Sequence, residues 1–79
     1  MKKSEQIQKA TGDVIRELRK EKGLTQEKLA ELSDLHVNYI SYLERGLRQP
    51  TLTTLTDISE GLGIRLTDIV GKIEASIDK

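Results

Sequence analysis

The sequence predicts an all-α protein built from five short helices. Apolar residues recur at three- and four-residue intervals, as one face of an α-helix requires, and β-branched residues never alternate over the length of a strand. Gly23, Gly46 and Gly63 each follow such an apolar segment, and Pro50 excludes helix through the segment that contains it. With 79 residues, the chain is expected to form a single domain, residues 1–79, around one small core.

The first three helices are predicted from their apolar faces and their end signals. The first runs from about Glu5 to Lys22, and Gly23 ends it after a basic last turn that suits the helix dipole. Thr25 is the candidate N-cap of the second helix, Gln26–Ser33, because a threonine hydroxyl accepts hydrogen bonds from first-turn N–H groups. The third helix covers about Val37–Arg45.

The fourth and fifth helices follow the loop that contains the proline. Thr51 or Thr53 is expected to cap the fourth helix, which runs to about Leu62. The fifth begins at about Thr67, with an acidic residue in its first turn, and runs to about Ile77. The short connections between the predicted helices are typical of a compact helical domain.

The segment between the second and third helices predicts a tight turn. Asp34 stands where the chain leaves the second helix, and we expect it in the left-handed backbone region, which Gly tolerates best and Asn and Asp next best. The small Ala30 lets the two helix axes cross closely. The apolar residues that close the two helices at a steep angle are Leu29, Ala30, Leu35, Ile40 and Leu43.

Composition excludes several kinds of site. The absence of Cys and the single His leave no metal site to argue for, and no cofactor or small-molecule site is indicated. That histidine, His36, has serines and an aspartate nearby in sequence, but short helices with two aromatic residues offer little room for a catalytic cleft, so no enzyme is expected. Apolar runs of two or three residues cannot span a membrane, and the polar N-terminus does not resemble a signal peptide. We therefore expect a cytoplasmic protein.

Charge is balanced overall and slightly uneven along the chain. The formal net charge is zero, which argues against binding nucleic acid by bulk attraction alone. Residues 1–48 carry ten Lys and Arg against eight Asp and Glu, and residues 49–79 carry three against five. Any anion-binding face must therefore arise from local placement.

One segment, TQEKLAELSDLHVNYISYLERG (residues 25–46), resembles the helix-turn-helix of the phage-repressor and Cro-like DNA-binding family. Within that family it is most similar to small stand-alone regulators such as the controller proteins of restriction–modification systems. The resemblance extends over roughly residues 12–70. It departs from the usual pattern at Asp34, where Gly is common, and at His36, where Asp, Ser or Thr is. The matching residues are Thr25, Gln26, Leu29, Ala30, Leu35, Ile40, Ser41, Leu43, Glu44 and Gly46.

The resemblance implies a five-helix domain of the lambda-repressor-like DNA-binding type, with the helix-turn-helix at about residues 25–45. In such a module the third helix lies in the major groove, and its first residues meet base edges. Val37, Asn38 and Tyr42 occupy those positions. Asn can bond adenine at two atoms, Val can contact a thymine methyl, and a tyrosine hydroxyl can reach a base or a phosphate. The alternative is that all three are only solvent-facing residues of a surface helix.

The resemblance also implies contacts to the DNA backbone and one structural ion pair. Gln26 lies at the start of the second helix, where unpaired N–H groups and the dipole suit a phosphate. Arg19 and Glu44 are expected to form a partly buried ion pair between the first and third helices. For the arginines of the set that follows, a merely solvated charge is the alternative. The expected phosphate contacts are Thr25, Gln26, Tyr39, Ser41, Arg45, Arg48 and Gln49.

The fifth helix, at about residues 67–77, carries an apolar stripe of its own. We expect it to form a twofold homodimer interface, because a symmetric pair presents two recognition helices to two half-sites. The alternative is that the stripe only completes the core. The interface residues would be Leu66, Ile69, Val70, Ile73 and Ile77.

Two functional hypotheses follow from these features. The first is a homodimeric transcription regulator, a repressor or controller, that binds double-stranded DNA at a roughly palindromic operator. The second is an antitoxin-like or other protein-interaction module that uses the same fold and binds a partner through the fifth helix. RNA polymerase or another protein remains open as a partner, and neither a membrane nor a small molecule is expected as one.

Overall fold

The computed structural model describes residues 2–78, which form five α-helices joined by short loops and no strand. Residues 1 and 79 of the expected domain lie outside this described part. The all-α prediction is confirmed, and each helix end lies within about two residues of its predicted place. The helices are α1 (Lys3–Glu21), α2 (Gln26–Ser33), α3 (Val37–Glu44), α4 (Leu52–Leu62) and α5 (Leu66–Ile77).

Threonine side chains fix the starts of α2 and α4. The hydroxyl of Thr25 accepts a hydrogen bond from the N–H of Lys28 at 3.0 Å, which confirms the predicted cap of α2. The hydroxyl of Thr51 accepts from the N–H of Thr54 at 3.0 Å, so Thr51 and not Thr53 caps α4. Each cap satisfies one of the N–H groups that a helix start leaves without a partner.

Helix α5 begins one residue before the predicted start at Thr67. Its N-cap is Arg65, whose N–H donates to Oδ2 of Asp68 at 3.2 Å. The acidic side chain in the first turn therefore ties down the residue before the helix, and Leu66 becomes the first helical residue.

One apolar core joins all five helices. Six of its side chains are fully buried, and α3 contributes two of them, Ile40 and Leu43. Because these two face inward, the opposite side of α3 is held toward solvent. The core residues are Ala10, Val14, Ile15, Leu18, Leu29, Ala30, Ile40, Leu43, Leu55, Ile58, Leu62, Ile69 and Ile73.

The stripe expected to form a dimer interface divides into two groups. Ile69 is 0% exposed and Ile73 is 8% exposed, since both complete the core of the single chain. Little of either side chain is therefore accessible to a second copy of the chain. Val70 and Ile77 remain 43% and 38% exposed, and Leu66 is half-buried. The accessible part of α5 is smaller than the sequence pattern indicates.

Two glycines let helices approach each other closely. A Cβ atom at Gly12 of α1 would collide with the carbonyl oxygen of Leu43 in α3. A Cβ at Gly61 of α4 would collide with the hydroxyl of Ser33 at the end of α2. In the predicted helix-turn-helix, α3 is thus held by a close approach to the backbone of α1, and α2 by a close approach to α4. No helix among residues 2–78 combines the length and apolarity needed to cross a membrane.

Candidate nucleic-acid interface

The turn between α2 and α3 depends on a left-handed residue. Asp34 has φ 56° and ψ 43°, which confirms the predicted backbone conformation. The N–H of the next residue, Leu35, donates to the carbonyl of Ala30 at 2.9 Å and closes the end of α2. The chain therefore changes direction within three residues and enters α3 with a fixed orientation.

Helix α3 presents a polar stripe to solvent. Asn38, Tyr42 and Arg45 are exposed and follow one another at intervals of four and three residues, so they share one face. Ile40 and Leu43 are buried on the opposite face. An amide, a phenol and a guanidinium are the groups that read base edges and phosphates in protein–DNA complexes.

Two arginine side chains lie over the ring of Tyr42. The guanidinium carbon of Arg45 lies 5.3 Å from the ring centroid, and that of Arg48 lies 5.6 Å from it. A cation within about 6 Å of an aromatic face is attracted to the ring quadrupole. Tyr42 therefore draws both positive charges to the C-terminal end of α3, although one of them belongs to the following loop.

A buried hydrogen-bond network ties α3 to α1 and α2. Arg19 Nε donates to Glu44 Oε2 at 2.6 Å, and Arg19 Nη2 donates to Oε1 at 3.0 Å. Gln26 Nε2 also donates to Glu44 Oε1, at 3.0 Å, and Arg19 Nη1 donates to the carbonyl of Leu24 at 2.8 Å. The side chains of Arg19 and Glu44 are 11% and 3% exposed. Three helices are thereby joined at one buried carboxylate.

The same contact fixes the charge state of the arginine. The hydrogen bond to Glu44 raises the pKa of Arg19 above its ordinary value, and it outweighs burial, which lowers that pKa. Because arginine already titrates above about pH 12, the guanidinium is charged in any ordinary buffer. Its contribution to stability is complete below the unfolded pKa and is lost only as the pH rises through the higher folded pKa.

The remaining residues expected at the interface differ in accessibility. Val37 and Tyr39 are half-buried and pack against the core, so only part of each side chain can reach a ligand. Val37 therefore offers less surface to a base than Asn38 does. The hydroxyl of Thr25 accepts the capping bond and keeps its own O–H as a donor, and Ser41 is half-buried. Arg48 and Gln49 are exposed in the loop after α3.

The structure adds two residues that the sequence interpretation missed. Arg16 and Lys20, one turn apart on α1, line a surface cleft together with Gln26, Ser41 and Arg45. The signal available in the sequence was their spacing of four residues, which places two cations on one face of a helix. It could not show that this face adjoins the start of α2.

Comparison with known proteins agrees with this geometry. The family profile described as helix-turn-helix matches residues 15–69, which include the whole segment from α2 to α4. The chain belongs to this helix-turn-helix family. Its resemblance to the Cro-like and controller-protein group, inferred from residues 25–46, is thereby confirmed.

Individual relatives are regulators by name. An HTH-type transcriptional regulator of Sinorhizobium fredii, y4dJ, is 41% identical over 64 residues, covering 81% of this chain and 83% of its own length. Control protein C.MunI of a Mycoplasma species is 44% identical over 64 residues, covering 80% and 86%. The crystal structure of the restriction–modification controller protein C.Esp1396I is 36% identical, with a TM-score of 0.85 over 92% of this chain and 96% of that one. The family is one of DNA-binding regulators and not of enzymes.

Proposed function

We propose that the chain is a sequence-specific regulator of transcription, a repressor or controller, that binds double-stranded DNA in the cytoplasm as a single-domain homodimer. The observation that carries this proposal is the exposed stripe of Asn38, Tyr42 and Arg45 on a helix whose other face is fixed in the core. A recognition helix must hold its side chains in a constant orientation relative to the groove, and the turn at Asp34 supports that orientation.

The residues of the stripe and their neighbours make different contacts with DNA in this proposal. Asn38 makes two hydrogen bonds to an adenine, and the accessible part of Val37 contacts a thymine methyl. Tyr42 contacts a base or phosphate through its hydroxyl while its ring holds Arg45 and Arg48 beside it. The two guanidiniums bind phosphates that flank the base contacts.

Polar groups around the helix-turn-helix complete the backbone contacts. The start of α2 offers the N–H groups of its first turn, next to Thr25 and Gln26. One hydrogen of the Gln26 amide is held by Glu44, which orients the group and leaves its second hydrogen for a phosphate. The half-buried Tyr39 and Ser41 and the exposed Gln49 supply further donors.

A homodimer fits the exposed part of α5. Val70 and Ile77 are exposed apolar side chains near the end of the chain, and Leu66 is half-buried beside the core. A twofold contact through these residues presents two copies of α3 to half-sites about 34 Å apart, which corresponds to a roughly palindromic operator.

Selection of bound sites from a random duplex pool tests the proposal directly. We expect a roughly palindromic motif whose half-sites are one helical turn apart. Asn38→Ala should change the preferred base at one position in each half-site, whereas Arg48→Ala should weaken binding to all sequences and reduce the salt slope by about one unit per bound protomer. If the wild-type protein enriches no sequence and binds no duplex, the proposed function is wrong.

A second candidate is an antitoxin-like module that binds another protein, with RNA polymerase as a further possible partner. The exposed Val70 and Ile77 favour it, because such side chains suit a protein partner as well as a second copy. Light scattering on the purified chain separates the two ideas. A stable dimer that is lost in Val70→Glu supports self-association, and a monomer that still binds duplex DNA supports a different protein on α5.

A further inference from the structure

We propose that α1 takes part in DNA binding through a cleft in which Arg16 and Lys20 hold a backbone phosphate. This inference rests on the proposed function and adds to it a contact surface outside the helix-turn-helix. The cleft lies where α1, the start of α2 and the second half of α3 meet, and Ser41 and Arg45 form its α3 side. Its ligand is a phosphate diester of the strand that passes α1.

The charge of the cleft is positive because its only acidic wall residue is already paired. Glu44 accepts both hydrogen bonds of the buried pair with Arg19, so these two side chains together contribute no net charge. Arg16, Lys20 and Arg45 remain, and within residues 2–78 none of the three forms an ion pair. Three uncompensated cations therefore line one concave surface.

Two other lysines of the chain, by contrast, form ion pairs. Lys9 pairs with Asp13 at 3.1 Å, and Lys28 pairs with Glu31 at 2.9 Å. Asp13, which lies near Glu44 and Arg45, is the acid of the first pair, so it adds no net charge beside the cleft. Glu27, in the first turn of α2, is a further acid nearby, since its field reaches Arg19. Even if its charge is counted in full, the cleft keeps a net charge of about +2, which favours an anion.

The geometry of the cleft suits a nucleic-acid backbone better than a small free anion. Arg16 and Lys20 are four residues apart, so they stand about 6 Å apart along α1. They lie on a different helix from Arg45 and from the Gln26 amide, and the donors therefore surround a group that enters from solvent. The cleft also adjoins Arg45, which continues the exposed stripe of α3. A DNA strand bound at that stripe would therefore pass directly over the cleft.

The groove between α1 and α5 provides a matched control. Lys22 and Lys72 line it, on the other side of α1, together with the acidic residues Glu21 and Asp68. The double variant Lys22→Gln/Lys72→Gln removes two positive charges, as Arg16→Gln/Lys20→Gln does. Any effect of net charge alone is therefore the same in both variants.

The experiment measures the binding constant for a selected duplex and for a random duplex at several KCl concentrations. Each lost phosphate contact reduces the slope of log K against log[salt] by about 0.9. We expect Arg16→Gln/Lys20→Gln to reduce the slope by about 0.9 to 1.8 per bound protomer, which is about 1.8 to 3.6 for a homodimer, with both duplexes, and to leave base preference unchanged. The charge-retaining variant Arg16→Lys/Lys20→Arg should keep the wild-type slope, and the groove control should change it little.

Failure of this inference is distinct from failure of the proposed function. If the wild-type protein binds no duplex, the proposed function is wrong. If the wild-type protein binds DNA but the Arg16→Gln/Lys20→Gln variant has the slope of the groove control, the α1 contact alone is wrong. Both positions are exposed, so melting temperatures near that of the wild type are expected. If the double variant nevertheless unfolds, the single variants Arg16→Gln and Lys20→Gln decide, each with an expected loss in slope of up to about 0.9 per bound protomer.

Discussion

Replacing Glu44 by Ala should remove a large part of the stability of this domain. The carboxylate accepts hydrogen bonds from Arg19 at 2.6 and 3.0 Å and from Gln26 at 3.0 Å. In its absence the guanidinium of Arg19, whose side chain is 11% exposed, keeps its charge and loses its partner. The side-chain amide of Gln26 also loses its acceptor. Only the bond from Arg19 to the carbonyl of Leu24 remains in the network.

The expected loss can be compared with the stability of a domain of this size. Removing one partner of a buried ion pair costs about 3–5 kcal/mol, because an uncompensated charge stays buried. A 79-residue chain at roughly 0.05–0.15 kcal/mol per residue has about 4–12 kcal/mol of unfolding free energy in total. Glu44→Ala should therefore remove between about a quarter and all of the unfolding free energy. Removing both charges with an apolar pair, Arg19→Met/Glu44→Leu, should recover most of the loss.

Urea unfolding followed by circular dichroism measures both effects. An exposed ion pair serves as the control, because Lys9 and Asp13 are 68% and 57% exposed and Asp13→Ala should cost less than about 1 kcal/mol. A loss below about 1 kcal/mol for Glu44→Ala would refute the argument that burial makes this pair structural. Failure of the double variant to recover stability would show that the hydrogen-bond geometry, and not the isolated charge, carries the effect.

Four further substitutions test the backbone and the caps. Gly12→Ala should destabilise the fold by about 1–3 kcal/mol, because the added methyl group meets the carbonyl of Leu43; Gly71→Ala, in open space on α5, should instead stabilise it by about 0.5–1 kcal/mol, and equal melting temperatures for the two would contradict this. Asp34→Gly should raise the melting temperature by about 2–4 °C, equivalent to about 0.5 kcal/mol, because Gly adopts positive φ without strain; a decrease would mean that the aspartate side chain stabilises the turn. His36 makes no capping bond at the start of α3, so His36→Ser should add about 0.5–1 kcal/mol in urea unfolding, and no gain would mean that the serine cannot reach the first-turn N–H groups.

Helix positions were predictable because local signals agree with the tertiary structure. Thr25 stands before an apolar pattern, and its hydroxyl caps α2. The left-handed turn residue is Asp34, and aspartate tolerates that conformation better than most residues other than glycine. The start of α5 was missed by one residue. A carboxylate three positions along fixes the preceding N–H, so Arg65 is the cap even though its own side chain makes no cap bond.

The division of the α5 stripe was beyond the sequence. Periodicity places Ile69, Ile73, Val70 and Ile77 on or near one apolar face, but it gives no information about how much of that face α1 and α4 cover. In the folded chain the two isoleucines Ile69 and Ile73 fill the core, and the other two side chains stay accessible. The α1 cleft escaped prediction for a similar reason, since its walls come from three different helices and its outermost residues, Arg16 and Arg45, are 29 positions apart in the chain.

The burial of Glu44 explains how one region of the surface can both stabilise the fold and form the proposed phosphate contact. An exposed carboxylate beside Arg16 and Lys20 would repel a phosphate, but the Glu44 side chain is 3% exposed and is neutralised by Arg19. The pair therefore contributes to stability and adds no net charge to the surface that we propose binds DNA. Arg19→Met/Glu44→Leu leaves the net charge unchanged, so its salt slope should equal that of the wild type wherever the variant is folded. A slope reduced by about 0.9 per bound protomer would mean that Arg19 itself contacts a phosphate, and that the network and the proposed binding cleft are not separate.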